Sequence, residues 1–266
     1  AAFNEPGGYE GEVTLMTPED ALPLIKPVYI QYATPRNMMI HRAMPLWQAS
    51  VLRPQKKGEP VYVGVYRAPG GDVRGYVVYQ TRETERSEPG PDQLLDVKDF
   101  VALDVAAHRA LWEYIRRHDL VGKVSMRNCL PEDDITPELL LEPRMLNARR
   151  GDGMWMRVVD AEAGLAARPY GERGMLRIAL QGDQLCPWNN GTYVLETDGP
   201  TAQVARKDVP SDIEVNPNAL ASLISGYRST TELQRAGLLR ATNEEALRLA
   251  DRIFHTEYRP FEPDGF

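Results

Sequence analysis

The sequence predicts an α+β protein of two domains. Three observations carry that prediction. β-rich runs at 61–67 and 73–80 flank Ala68-Pro69-Gly70-Gly71-Asp72, the pattern of a hairpin. A strand, a capped amphipathic helix and another strand follow over 94–126. The composition then shifts at Pro131-Glu132-Asp133-Asp134 and again at 147–153, and a new series of short strands and helices begins. The boundary is placed near residue 150, giving domains of 1–150 and 151–266.

In order along the chain, residues 1–20 are rich in Gly and Pro and read as a linker. Thr17-Pro18-Glu19-Asp20 opens a helix, with Thr as cap, Pro at the first helical position and acids in the first turn. Pro23 and Pro27 are expected to shorten or break it. A second helix is expected over 37–52, bent near Pro45. After the hairpin, residues 82–93 read as an exposed loop and 94–103 as a strand. Asp104 caps a helix to about His118, with Ala107, Leu111, Trp112 and Ile115 on one face, and 121–126 is a strand.

In the second domain, 154–159 is expected to be a strand with Trp155 buried and Arg157 reaching the surface on the same face. Asp160 caps a short helix to Ala167, and strands are expected at 175–181, 192–196 and 202–206. Asn216-Pro217 starts a helix, and Thr242-Asn243-Glu244-Glu245 reads as a capping box opening the last one. The tail carries Tyr258, Phe261 and Phe266. It is expected to dock, because exposed aromatics forgo burial worth a few kcal/mol.

The chain of 266 residues is 42% hydrophobic and 26% charged, values of a globular protein. No run reaches the roughly 18 apolar residues of a membrane helix. The start, Ala1-Ala2-Phe3, has no secretory signal and no Met, so the chain is expected to be processed or cut from something longer. A net charge of -7 argues against nucleic acid as a partner. Cys129 and Cys186 are isolated and fit neither a disulfide framework nor zinc spacing, so a reducing cytoplasm is expected. His41, His108, His118 and His255 have no metal-ligand spacing. A pyrophosphate-cradling turn, Arg/Gln-x-x-Gly-x-Gly/Ala at the start of a helix, is approached twice. Arg67-Ala68-Pro69-Gly70-Gly71-Asp72 ends in Asp inside the hairpin, and Gln55-Lys56-Lys57-Gly58-Glu59-Pro60 ends in Pro before a strand. No cofactor site and no metal site are expected in this chain.

Several stretches resemble the enhanced intracellular survival (Eis) family of GNAT acetyltransferases. Asp152-Gly153-Met154-Trp155-Met156-Arg157, followed by Ala166-Ala167-Arg168-Pro169-Tyr170, is similar to that family's Asp-Gly-aliphatic-Trp-aliphatic-Arg strand and Ala-Arg-x-Tyr helix end. Cys186-Pro187-Trp188-Asn189-Asn190-Gly191, Leu223-Ile224-Ser225-Gly226-Tyr227 and Leu233-Gln234-Arg235-Ala236-Gly237 follow in the family's order. Leu46-Trp47, Gly75-Tyr76-Val77-Val78-Tyr79 and Arg109-Ala110-Leu111-Trp112 match more loosely. The resemblance implies a degenerate GNAT-like domain followed by a sterol-carrier-protein-like domain. Acetyl-CoA would be bound by a further N-terminal domain, and the acceptor would be an amine, such as an aminoglycoside or a lysine side chain.

The resemblance also points to site residues. It implies that the terminal carboxylate of Phe266 reaches the active site. A free α-carboxyl titrates near ~3.5, and docking beside apolar rings would raise it. Gly265 lacks the acidic side chain that some relatives carry before their last residue. Asp152 reads either as a turn residue or as a substrate-facing carboxylate. Tyr170 either ends a helix or lines the acceptor pocket, and Trp47 either packs its helix or walls that pocket. Two other functions stay open: a module for apolar, lipid-like ligands, and a scaffold for a homo-oligomer.

Overall fold

The structure, a computed structural model, describes residues 9–83, 92–151 and 153–264. It divides into two compact units: Ala1–Gly153 with Phe261–Phe266, and Met154–Pro260. The tail thus belongs with the first unit, where the sequence boundary had assigned it to the second. The reason is physical: Phe261 is buried in the first unit's core, and Asp264 pairs with Arg42.

The first unit holds a five-stranded sheet in sequential order: β1 (Glu12–Met16), β2 (Tyr62–Arg67), β3 (Val73–Glu83), β4 (Gln93–Ala102) and β5 (Val121–Met126). The first four run antiparallel, β2 and β3 as the expected hairpin. β5 runs parallel to β4 because α3 (Val105–Arg116) crosses between them. One face is covered by α1 (Pro18–Ala33) and Trp47, packed on Val63, Val65, Tyr76, Val78 and Val101. The other is covered by α3, with Leu111 against Val77, Leu95, Val97 and Phe100, and the short α4 (Thr136–Leu139) follows β5. β4 and α3 lie within a residue or two of their predicted bounds, and Asp104 caps α3 as expected.

Three expectations for this unit are corrected. The segment read as a linker contains β1, which pairs with β2 from Glu12↔Arg67 to Met16↔Val63. α1 runs for 16 residues through Pro23 and Pro27. Its buried face, Ala21, Ile25, Val28, Tyr29 and Tyr32, packs on the sheet and outweighs the two lost backbone bonds. The helix expected over 37–52 is confined to α2 (Met44–Leu46) and a π-helix, Trp47–Val51. Met38 has a φ of 73°, a left-handed conformation that no helix accommodates, and Pro45 sits in the first turn, where it starts a helix instead of bending one. The loop read at 82–93 lies mostly outside the described residues.

The second unit opens with α5 (Ala161–Ala166), capped by Asp160. Its sheet has the order β10-β9-β6-β7-β8, from β6 (Gly174–Leu180), β7 (Gly191–Thr197), β8 (Ala202–Arg206), β9 (Ile213–Val215) and β10 (Leu239–Ala241). β6 and β9 are parallel, and the other pairs are antiparallel. α6 (Pro217–Ser225), α7 (Thr230–Arg235) and α8 (Glu244–Phe254) complete it. The strand expected at 154–159 does not form: the segment joins neither sheet. Trp155 is 86% exposed, not buried, and Val158 is what packs against the core. The alternation there predicted extended chain, but no neighbouring edge receives it. The cap of α8 is Asn243, whose side chain accepts from the Ala246 amide; the reciprocal capping box lies instead at Ser229 and Glu232 of α7.

α3 is also tied to the segment after β5. His108 is buried, with Nε2 2.9 Å from Thr136 Oγ1 and 3.6 Å from Asp134 Oδ1. Burial lowers its pKa below the ordinary 6.5, against the opposing pull of Asp134. The unfolded chain therefore takes up a proton near pH ~6.5 that the folded chain still refuses, so stability falls as pH falls through this window. The urea midpoint is expected to drop between about pH 7 and 5.5, and less steeply in His108→Gln. An identical slope in the variant would remove His108 from the acid response.

Candidate functional site

The site grows out of a bulge in β4. Val78 pairs with Asp99, but Tyr79 pairs with Val97, so Lys98 is an extra residue. A regular strand would send residues 98 and 99 to opposite faces. The bulge lets both meet groups on the α1 side. Lys98 Nζ donates to Ser50 O at 3.0 Å and to Arg53 O, which holds the end of the π-helix, and burial lowers the pKa of this amine. Asp99 accepts from Tyr76 Oη at 2.8 Å and from Arg42 Nη1 at 2.5 Å.

Arg42 is the centre of the arrangement. Its Nη1 and Nη2 donate to Asp99 and its Nε donates to Asp264 at 2.7 Å. The side chains of Arg42, Asp99 and Asp264 are at most 3% exposed. The guanidinium lies 4.0 Å from the ring centre of Tyr29 and 5.0 Å from that of Trp47. Burial alone would lower the Arg42 pKa, but Asp99 and its neighbours turn the shift upward. Burial pushes the Asp264 carboxyl up, and Arg42 only partly offsets this. Tyr76 and Tyr29 are also raised by burial, so both stay neutral hydrogen-bond donors.

Three further bonds fix the tail. The Phe261 amide donates to Asn37 O at 3.1 Å, Asn128 Nδ2 donates to Glu262 O at 2.7 Å, and Tyr29 Oη donates to Asp264 Oδ2 at 3.3 Å. Together they lead the chain to residue 264 along a defined path.

The start of α3 is occupied by the protein itself. Asp104 Oδ1 accepts from the Ala107 amide at 2.8 Å, and Asp104 Oδ2 accepts from Arg74 Nε at 2.9 Å. An open cleft of about 590 Å³ beside it is lined by residues that include Tyr9, Glu10, Tyr66 and Asp104.

Among the residues singled out from sequence, Trp47 is 1% exposed and packs edge-on to Tyr29, 5.5 Å between ring centres. Tyr170 lies in the second unit, buried against Phe254, and its hydroxyl donates to Leu165 O at 2.5 Å. Asp152 and Phe266 lie outside the described residues. The stretches that carried the resemblance brace the second unit: Arg168 donates to Leu223 O and Ile224 O at the end of α6, and Arg157 pairs with buried Asp183. Within the core of that unit, Leu165, Leu176, Ile178, Leu195, Ile213 and Leu223 are fully buried.

Sequence reasoning missed Arg42, Asp99 and Asp264. Asp99 left a trace, as a carboxylate directly before the apolar end of β4, Phe100-Val101-Ala102. A buried carboxylate requires a partner, and Arg42 is a cation in the stretch read as a second helix.

Two family models match the chain. A model described as an acetyltransferase (GNAT) domain covers residues 38–178, more than half of the chain, and one described as a sterol carrier protein domain covers 161–263. The chain belongs to the Eis-like acetyltransferase family. An uncharacterized N-acetyltransferase of Streptomyces griseus is 32% identical over 80% of this chain and 50% of its own length. The N-acetyltransferase Eis of Mycobacterium tuberculosis is 28% identical over 78% of this chain and 51% of its own. The crystal structure of Eis1 from Mycobacterium abscessus matches 100% of this chain and 65% of its own, at 31% identity and a TM-score of 0.74. The chain thus spans about half the length of the curated relatives it matches. Among its described residues, no helix is long and apolar enough to cross a membrane.

In this Eis-like chain, Arg42→Met leaves two buried carboxylates without the cation they share. Removing one partner of a buried pair costs about 3–5 kcal/mol. Denaturant unfolding is expected to show a loss of that size, and a smaller one for Asp264→Asn, where Asp99 still holds Arg42. A loss below about 1 kcal/mol for Arg42→Met would contradict the burial described.

Proposed function

We propose that this chain forms the acceptor side of an amine N-acetyltransferase, with acetyl-CoA held by a part of the enzyme outside these residues. The filled start of α3 carries this reading. A pyrophosphate binds a helix N-terminus through free backbone N–H groups and the positive end of the dipole. Here Asp104 takes the Ala107 amide and already supplies the negative charge. The two near-miss turns do not substitute. Residues 68–72 close the hairpin through Ala68 N to Asp72 O, and Gln55 is tied to Gln80 and Asp96. Among the described residues, these three places do not fit the cofactor's pyrophosphate. Isothermal titration of this chain with acetyl-CoA is expected to show no binding at micromolar concentration. Saturable binding there would overturn this assignment.

On the acceptor side, the reading gives the terminal carboxylate of Phe266 the task of holding a cationic amine and taking its proton. Asp152 would be a second carboxylate facing the acceptor. Trp47 serves from beneath, as the surface on which Arg42 rests. Aminoglycosides and lysine side chains are the acceptor class that the family suggests. The full burial of Leu165, Leu176, Ile178, Leu195, Ile213 and Leu223 in the second unit favours this reading over an apolar-ligand module. In the full-length enzyme that contains this chain, extending it a few residues past Phe266 is expected to lower acetyl transfer strongly and leave acetyl-CoA affinity nearly unchanged. Full activity in the extended enzyme would take the carboxylate out of the mechanism.

A further inference from the structure

We infer that the second unit carries a carbohydrate-binding cleft: one pyranose ring fits between the turn after β6 and the start of α6, stacked on Trp155 and hydrogen-bonded by Gln184, Asn216 and Asn218. This site is independent of the acceptor-side reading.

The sheet topology makes the cleft. β6 and β9 run parallel side by side, from Ile178↔Ile213 to Leu180↔Val215. Beyond these ends the two stretches of chain part. One turns through Gly182, with a φ of 75°, and returns as antiparallel β7; the other enters α6 at Asn216 and Pro217. A crevice at the carboxyl ends of parallel strands, where their connections diverge, is a common place for a ligand. Here it is a cleft of about 280 Å³, room for a single ring. Its wall is fixed in advance. Asp183 is 2% exposed, its amide donates to Asn190 Oδ1 at 2.9 Å, and its carboxylate accepts from the Cys186 amide at 2.8 Å and from Arg157. A site ordered beforehand loses less entropy on binding.

The chemistry of the lining selects the ligand. Arg157 and Asp183 are its charged side chains and they pair, so neither an anion nor a cation meets an unmatched countercharge. Among the described residues, the carboxamides of Gln184 and Asn218 have no protein partner, and Asn216 uses only its oxygen, on the Ala219 amide. An apolar ligand would strip water from these amides and return nothing. Carboxamides both donate and accept, as hydroxyl groups do. Trp155 completes the match. Trp155 and Arg157 are exposed and Met156 between them is half-buried, so Trp155 shares the side of Arg157, which lines the cleft. Two residues span at most about 7 Å, which brings the indole within reach of the cleft. At 86% exposure it leaves a large apolar face in water. A pyranose covers such a face with its C–H groups while its hydroxyls reach the amides. A neutral polyol with one apolar face is therefore the ligand class that uses every group present.

Saturation-transfer NMR on this chain is the test, with methyl glucoside, methyl galactoside and maltotriose as probes. At least one is expected to bind saturably with a Kd near ~1 mM, as suits a small open cleft. The strongest transfer should reach the C–H protons of one ring face. Trp155→Ala is expected to weaken binding about tenfold and to abolish that face preference. Gln184→Ala and Asn218→Ala should each raise the Kd about three- to tenfold. Among the described residues, none of these three side chains has a hydrogen-bond partner, so the melting temperature should stay near that of the parent. If Trp155→Ala does not fold, the two amide variants carry the test. Tighter binding of maltotriose than of methyl glucoside assigns the cleft to one ring of a longer glycan, and equal binding assigns it to a free sugar. No saturable binding of any probe, or binding unchanged in all three variants, would overturn the inference.

Discussion

The first unit depends on one buried cation. Arg42 sits at most 3% exposed between Asp99 and Asp264, and the surrounding elements are arranged around that fact. A guanidinium out of water is tolerable only when its donors are satisfied. β4 supplies one carboxylate by bulging, and the tail supplies the other by crossing to the first unit. Tyr29 and Trp47 supply aromatic faces, and Tyr76 supplies a hydroxyl to Asp99. Leucines at the same positions would have packed as well, but they would have specified no place for the tail.

Much of the scaffold was legible in the sequence, because it is written in local chemistry. Asp104, Asp160 and Asn216 cap the helices they were expected to cap, and the Pro-Gly-Gly turn makes its hairpin. What was not legible depends on neighbours distant in sequence. β1 is short and Gly-flanked, and only β2 makes it a strand. β9 and β10 have three residues each, too few to show a period. Residues 154–159 have the alternation of a strand and join no sheet. α1 survives two prolines because of the sheet beneath it.

The candidate site was legible only in part. The docking of the tail was legible from its aromatic rings, which sequence displays directly, and Trp47, read as packing its helix or walling a pocket, is buried against Tyr29. Arg42 and Asp99 escaped because their meaning lies in a pairing over 57 residues, and Asp264 because its partner is 222 residues away. Tyr170 was read either as ending a helix or as lining a pocket, and in the structure its hydroxyl satisfies the end of α5 while Arg168 satisfies the end of α6.

The route of the tail has a consequence for how the chain comes into being on the ribosome. The core of the first unit is not contiguous: residues 9–153 emerge early, but Phe261 and Asp264 emerge after the whole second unit. Synthesis proceeds at roughly 5–20 residues per second. For many seconds Arg42 and Asp99 can pair with each other, but the tail carboxylate does not yet exist. The second unit, whose core lies entirely within 154–260, meets no such delay. The order of completion is thus the reverse of the order of synthesis: the half that is made first is the half that closes last.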